Sequence, residues 1–477
     1  MTSSNVIRKQ FLADPVTQLL AENQQLDAND IARLKGLHFE YKSTKKQLKS
    51  LKAEKGTLSR KIGVLKKEGK DTAQILHEVN DVSVRLNEQN KLFKQLEQKI
   101  LAFSSTFAAE LNIDEALQAS LPLPDRRYIA NADPASQYSI CELVDEVDRW
   151  DDFVRSVSGA SIYHLSEWKS IIETCFGHKT HYIFAQDKKS NIVGVLPLVR
   201  LKSALFGDFL VSIPYFNYGG ALAATREAEA SLIKEAATLA SELGVKHIEF
   251  RDELSRDGWQ VRTDKVSMVL PLPETSEMLS QKLGSKLRAQ IKRSQRENLA
   301  VVFGREELIN DFYSVYSRNM RDLGTPVYGV SFFKEIVSRF KDCHIAVVRH
   351  KNKPVATGFL LGYDGTLEIP WASTLREANR FSANMFLYWE ILCFAIQNRY
   401  HYFDFGRSTV DAGTYQFKKQ WGALEKQLYW HYWLKDGGDL PMMNPSNPKY
   451  KMLINIWKRL PVAVANSIGP LVVKNLP

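Results

Sequence analysis

The sequence predicts a mixed α/β body built on an internal repeat, with a long antiparallel α-helical coiled-coil hairpin in front of it. Three observations carry this. Hydrophobic seams over residues 37–65 and 75–103 mirror each other about a polar turn, and two strand–turn–strand segments further on align without gaps 162 residues apart, at 182 and 344. A chain of 477 residues with 44% hydrophobic content is long enough for two or three sizeable cores.

The first seam runs Leu37, Tyr41, Thr44, Leu48, Leu51, Lys55, Leu58, Ile62 and Leu65, in the alternating 4,3 spacing of a coiled coil. The second runs Ile75, Val79, Val82, Leu86, Gln89, Phe93, Leu96, Ile100 and Phe103. Pairing 65 with 75, 62 with 79, and so on to 41 with 100 and 37 with 103 holds the position sum at 140 or 141, the mark of two antiparallel helices in one hairpin. At ~1.5 Å per residue each ~30-residue helix reaches ~45 Å, too long to be buried in one domain, so residues 31–104 are expected to form an arm behind an N-terminal segment 1–30.

Charge is concentrated there. Residues 31–103 hold 17 Lys and Arg against 8 Asp and Glu, a net +9 in a chain whose total is +10. Lys42, Lys45, Lys49 and Lys52 fall on one side of the outgoing helix, a stripe suited to a phosphate backbone. A coil that only dimerises the protein, with the lysines as its solvated face, is the other reading. Closed by "LSRKIGVLKKEGKD" and followed by "ILHEVNDVSVRLNEQNKLFKQLEQKI", the hairpin resembles the N-terminal tRNA-binding arm of seryl-tRNA synthetase over about residues 30–125. That resemblance implies tRNA as a partner.

After a Pro-containing polar linker, 105–137, the body begins near Tyr138. "YIFAQDKKSNIVGVLPLV" (182–199) and "HIAVVRHKNKPVATGFLL" (344–361) are each strand, charged turn, strand. Both follow an aromatic-rich helical stretch and precede a further strand and helix, which reads as duplication of one α/β unit. A first domain over 138–275, a second over 276–436 and a tail over 437–477 are expected. The segments "LVSIPYFNYGGAL", "LGTPVYGVSFF" and above all "YFDFGRSTVDAGTYQFKKQWGA" (402–423) resemble the Fem transferases and their FemAB-like relatives, and the tail resembles that of the PEP-CTERM/exosortase-associated FemAB-like proteins. The fold this implies is α/β (α+β), two GNAT-like domains in tandem, and the implied activity is transfer of an aminoacyl group onto an amine.

Moving an acyl group onto an amine requires a free amine lone pair, a held carbonyl and positive potential where the oxyanion forms. Asp404, on the alternating strand "YFDF", is placed to orient or deprotonate the amine; a turn-capping carboxylate is the plain alternative. The family's "FKK" motif falls on Phe417 and Lys418, which the resemblance places at the acyl-transfer centre; solvent-facing lysines above a Tyr415, Phe417 and Trp421 core side are the alternative. Arg407, after Gly406, suits a phosphate or carboxylate. Tyr215, Asn217 and Tyr218, beside consecutive glycines that permit close approach of a ligand, together with Glu368, Trp371 and Tyr415, are candidate substrate-binding residues. Arg288, Lys292 and Arg296, at i, i+4 and i+8, form a stripe suited to a pyrophosphate. Each of these has an ordinary packing or surface reading as well.

No metal site is expected, because Cys141, Cys175, Cys343 and Cys393 are scattered without a CxxC pair or a His cluster. No cofactor is expected to be resident; the co-substrate is an aminoacyl-tRNA or an acyl-CoA. The R/Q-x-x-G-x-G/A loop by which acetyl-CoA enzymes hold the pyrophosphate has no convincing copy, which weighs against coenzyme A. The start has no apolar run of signal-peptide length, so a cytoplasmic location is expected. The tail, alternating Leu453, Ile454, Trp457 and Leu460 with Lys451, Lys458 and Arg459, is a basic amphipathic end that would either touch the inner membrane peripherally or pack on the body.

Overall fold

The structure, a computed structural model, describes residues 28–67, 71–107, 123, 138–203, 207–256, 258–435, 437, 440 and 448–476. Two compact units divide the chain, residues 1–120 and 121–477.

In the first unit, helices α1 (Ala28–Lys67) and α2 (Ala73–Phe107) pack on each other. Tyr41, Thr44, Leu48 and Leu51 are buried on α1, and Ile75, Val82 and Leu96 on α2. Tyr41 stacks on Phe93 with centroids 4.7 Å apart, whereas the constant-sum pairing sets Phe93 opposite Leu48. A heptad seam tolerates this slip, because a shift of seven residues still sets seam against seam, and an aromatic stack selects among such registers. Lys42 and Lys45 are exposed, and the side chains of Lys49 and Lys52 lie outside the described residues.

The second unit holds β1 (Ser139–Glu142), α3 (Val147–Ser156), α4 (Glu167–Phe176), β2 (Lys179–Gln186), β3 (Ile192–Ser203), β4 (Gly207–Val211), β5 (Leu222–Ala223), α5 (Arg226–Glu242), β6 (His247–Asp252), β7 (Gln260–Arg262) and β8 (Lys265–Pro271). It continues through α6 (Ser276–Lys282), α7 (Ser285–Ser294), β9 (Leu299–Gly304), α8 (Ile309–Leu323), α9 (Val330–Arg339), β10 (Cys343–His350), β11 (Lys353–Tyr363), β12 (Thr366–Thr374), α10 (Ala383–Gln397) and β13 (Tyr402–Thr409). α11 (Gly413–Gln420), β14 (Leu424–Gln427), β15 (Tyr429–Leu434), α12 (Pro448–Trp457) and α13 (Val462–Val473) complete it.

The repeat is plain in the order of elements. β1-α3-α4-β2-β3-β4-α5-β6 and β9-α8-α9-β10-β11-β12-α10-β13 follow one plan, and the hairpins aligned by sequence, β2–β3 and β10–β11, hold equivalent places in the two sheets. Each plan contains one parallel contact, β4 with β6 and β12 with β13, spanned by a helix as parallel pairing requires. After one further strand at the sheet edge, β7 or β14, each unit's chain then crosses over. β8 lies before position 275 yet pairs with β13 of the second sheet, and β15 lies after it yet pairs with β6 of the first. The chain thus passes to the second sheet between Arg262 and Lys265, ahead of the expected boundary at 275/276, and returns to the first between Gln427 and Tyr429. Neither lobe has a complete sheet without the other.

Between the sheets lies an aromatic layer supplied by both lobes. Trp168 and Phe340 approach to 4.9 Å, Phe176 and Phe332 to 5.0 Å, and Phe333 and Trp371 to 5.1 Å between ring centroids. Such pairs contribute about 0.5–1.5 kcal/mol each beyond the area they bury. Trp371, a candidate substrate residue, is held in this layer.

Candidate active site between the two sheets

β12 and β13 pair only from Thr366–Glu368 to Tyr402–Asp404, after which the strands part company. Beyond that point β13 continues along β8 through a register shift between Asp404 and Arg407, at which Gly406 adopts φ +74°. That left-handed conformation is open to glycine at little cost and strained for most other residues. Glu368 and Asp404, the last registered pair, therefore stand side by side where the sheet splits. Alternation along β13 sends Phe403 and Phe405 into the second core and Asp404 to the opposite face.

The first lobe covers that face with Tyr163, from a short 3-10 turn (Ile162–His164), and with Asn217 and Tyr218 from the loop after β4. The Tyr163 hydroxyl donates to Glu368 Oε2 at 2.8 Å, and the Tyr218 hydroxyl lies 2.8 Å from Asp404 Oδ2 and 3.2 Å from Glu368 Oε2. Asn217 Nδ2 is 3.5 Å from Glu368 Oε1. From the second sheet, Ser267 Oγ donates to Asp404 at 2.8 Å and the Gly406 amide donates at 2.6 Å. Both carboxyls are buried, and among the described residues neither makes an ion pair. Burial first, and the neighbouring Asp404 second, push Glu368 above the usual carboxyl range despite the hydrogen bonds it receives. The arrangement is a pair of buried carboxyls bridged by Tyr218, in surroundings that favour the protonated form of Glu368.

A small cavity of about 60 Å³, opening to solvent, reaches the pair, lined among others by Ser161, Tyr218, Glu253, Glu368, Asp404 and Lys426. Both lobes contribute to its wall.

Lys418 is buried, not solvent-facing. Its ammonium donates to the carbonyls of Gly406 at 2.8 Å and Arg407 at 2.9 Å, pinning the β13 irregularity from behind, and burial lowers it to about 8 while Asp404 and Glu368 pull the other way. Phe417 packs against Tyr388 at 5.0 Å and belongs to the second core, because on a helix it faces away from the side that carries Lys418. The Tyr415 ring is buried in the second core, its hydroxyl donating to Glu425 and accepting from Lys419, and it does not line the cavity. Arg407 is exposed, its guanidinium 4.7 Å from the centre of the Trp430 ring, and Trp430 is flanked again by Arg251 at 4.6 Å.

Tyr215 departs from Asn217 and Tyr218. With φ +74° its hydroxyl turns to the Lys474 carbonyl at 2.7 Å and to His178 at 2.8 Å, so it holds the tail and not the cleft. The consecutive glycines admit the chain itself in place of a ligand: both amides donate to the Arg251 carbonyl at 3.0 Å, and a Cβ on Gly220 would lie 1.8 Å from Asp252 Oδ1. The basic stripe also breaks up. Arg288 caps the end of α6 through the carbonyls of Ser280, Gln281 and Leu283, Lys292 is exposed, and Arg296 lies past the end of α7.

Tyr163, Ser267 and Trp430 are site residues that sequence reasoning did not find. Ser267 carried a usable signal, a lone hydroxyl in the apolar strand "KVSMVLP". Tyr163 carried none, since it reaches Glu368 across 205 residues of chain. Among the described residues no group of three or more His, Cys, Asp and Glu is placed to hold a metal ion.

A family model described as an acetyltransferase (GNAT) domain matches residues 285–419, and one described as the seryl-tRNA synthetase N-terminal domain matches residues 1–108. Among solved structures, similarity extends to FemX, with a TM-score of 0.49 and 12% identity over 61% of this chain and 96% of that one. It extends also to the C-terminal domain of a putative lysylphosphatidylglycerol synthetase from Agrobacterium fabrum, with a TM-score of 0.44 and 14% identity over 60% of this chain and 91% of that one. A tandem GNAT protein from the clavulanic acid biosynthesis pathway gives a TM-score of 0.42 and 10% identity over 64% of this chain and 100% of that one. No curated protein matches the sequence. The second lobe thus carries a match to a GNAT acetyltransferase domain, the first lobe repeats the order of its elements, and the N-terminal segment matches the seryl-tRNA synthetase N-terminal domain.

Proposed function

We propose that the protein transfers an aminoacyl group from an aminoacyl-tRNA to an amine bound in the cavity between the lobes, with Asp404 and Glu368 managing the protons. The observation that carries this is the buried carboxyl pair, which has hydroxyl and amide donors and, among the described residues, no ion pair. Asp404 accepts a proton from the attacking amine, the C–N bond forms as the ester C–O bond to the ribose breaks, and Glu368 returns a proton to the departing ribose oxygen. Lys418, anchored on two carbonyls, lends positive potential to the split and holds the strand in place; it supports the geometry from behind the reacting atoms. Arg407, exposed on the Trp430 face, is the anion contact for a donor phosphate.

Seryl-tRNA is the favoured donor because of the family of the N-terminal segment. Lys42 and Lys45, exposed on α1, begin the contact with RNA. The acceptor is an amine on a cell-envelope or polysaccharide precursor or a small metabolite. A second reading, an acyl-CoA-dependent N-acyltransferase in exopolysaccharide biosynthesis, is favoured by the acetyltransferase description of the matched domain, and in it the hairpin would serve only to dimerise the chain. Incubation with labelled seryl-tRNA, other charged tRNAs and acetyl-CoA decides between them. Release of label from seryl-tRNA to an amine supports the first reading; consumption of acetyl-CoA alone rejects it.

A further inference from the structure

Residues 448–477 contain five basic residues, Lys449, Lys451, Lys458, Arg459 and Lys474, and no acidic one. Their two helices are apolar on more than one face. α13 turns Ala465, Gly469 and Val473, spaced i, i+4, i+8, onto the body, where a Cβ on Gly469 would come within 2.9 Å of Val327. On α12, Ile454 packs beside Gly324. Polar contacts fix the docking: Arg321 donates to the Leu460 carbonyl at 2.7 Å, Asn466 to Ser317 at 3.3 Å, and Tyr215 to the Lys474 carbonyl at 2.7 Å.

The other face is open. Val464, Ile468 and Leu471, spaced i, i+4, i+7, are exposed on α13, as are Met452, Leu453 and Ile456 on α12. Six exposed large aliphatic side chains on two consecutive short helices are more than scattered surface apolar residues require. Lys458 and Arg459, exposed in the turn between the helices, set positive charge beside them. The helices, of 10 and 12 residues, rise about 15 and 18 Å, short of the ~30 Å hydrocarbon core, and among the described residues no helix is long and apolar enough to cross a membrane. A short apolar face edged by cations and free of carboxylates fits the boundary between headgroups and acyl chains.

We infer that the docked tail seats the protein on an anionic lipid surface, with Met452, Leu453, Ile456, Val464, Ile468 and Leu471 entering the headgroup region and Lys458 and Arg459 pairing with lipid phosphates. This goes beyond the proposed reaction and does not depend on it. Sedimentation of the full chain with phosphatidylcholine vesicles, made with and without phosphatidylglycerol, tests it.

Binding is expected only to the anionic vesicles. Lys458→Glu with Arg459→Glu should weaken it on the order of 25-fold, at roughly fivefold per basic residue at the surface. Ile468→Asp with Leu471→Asp should weaken it more than ~10-fold, since two buried aliphatic groups are lost from the interface. Because the hairpin is also basic, Lys42→Glu with Lys45→Glu is the control and should leave the tail's contribution intact. Unchanged melting temperatures show that the exposed substitutions spare the fold. Equal sedimentation of all variants, loss only with the hairpin pair, or a dimer that the α13 substitutions convert to monomer would each overturn the inference. Transfer to a soluble acceptor should persist in the tail variants, so failure here and failure of the proposed reaction are separable.

Discussion

The two lobes split their sheets in the same place and fill the split with opposite chemistry. In the first, β4 and β6 pair at Leu210–Ile248 and Val211–Glu249, and every charge beyond that point has a counter-charge. Arg251 donates to Glu249 at 2.8 Å, and Arg256 bridges Asp252 and Glu229. His431, reaching in from β15, accepts from the Arg256 amide through Nε2 and donates to Asp252 through Nδ1 at 3.0 Å. Burial alone would raise Asp252, but Arg256 and His431 bring it down to about 2. In the second lobe Glu368 and Asp404 are as deeply buried, and among the described residues their hydrogen bonds come from tyrosines, a serine and amides, without an ion pair. A compensated cluster fixes a fold; an uncompensated one keeps protons available for chemistry. On the reaction proposed above, the duplication has divided labour, one split locking the exchanged strand β15 and the other offering its carboxyls to the substrate.

If that division is right, the largest effect belongs to the uncompensated pair. Asp404→Asn and Glu368→Gln should each lower kcat by about 10²–10⁴-fold while leaving the melting temperature near its starting value, because the replacements keep the shape. Steady-state kinetics beside thermal unfolding check this, and a large loss of stability would break the comparison. The converse holds for Arg256→Met, which strands Asp252 and Glu229 without their cation. It should cost about 3–5 kcal/mol in denaturant unfolding, with kcat of the surviving folded fraction unchanged.

A smaller effect is expected at Lys418. Lys418→Met leaves the Gly406 and Arg407 carbonyls without a donor, at about 1–3 kcal/mol of stability, and loosens the strand that carries Asp404, so kcat should fall as well. Unfolding midpoints and kinetics measured on the same preparation test both. Arg407→Ala is exposed and should change stability by no more than about 0.5 kcal/mol, yet raise KM for the donor. An unchanged KM would remove Arg407 from donor binding.

The smallest effect is a pH slope. Glu368 binds its proton more tightly folded than unfolded, so above the ordinary value of 4.5 the native state holds the extra proton and stability falls as pH rises through the window up to the raised value. Glu368→Gln should flatten that slope in unfolding curves taken across the range. A slope that persists unchanged would show that the tightly held proton is not on Glu368.

Much of this was legible one element at a time. The alternation in "YFDF" puts Asp404 opposite two core phenylalanines, and the gapless alignment of the two hairpins gave the repeat. What misled was local reading of long side chains. Lys418 was expected at the transfer centre, with a solvent-facing lysine as the alternative, but it serves backbone carbonyls freed by a bulge that no periodicity announces. The consecutive glycines after Tyr218 look the same whether a ligand or Asp252 approaches them. Arg288, Lys292 and Arg296 are a stripe only while the helix lasts, and it ends at Ser294.

Patterns with a period were settled by the sequence itself: the two seams though not their register, the strand–turn–strand repeats, and the net charge of the hairpin, since each depends on residues close in the chain and on solvent. The tertiary structure alone decided which strands exchange between sheets, that Tyr163 meets Glu368, and that one split is neutralised while its twin is not. Those outcomes depend on contacts between residues tens to hundreds of positions apart, which burial and charge select only once both lobes are closed against each other.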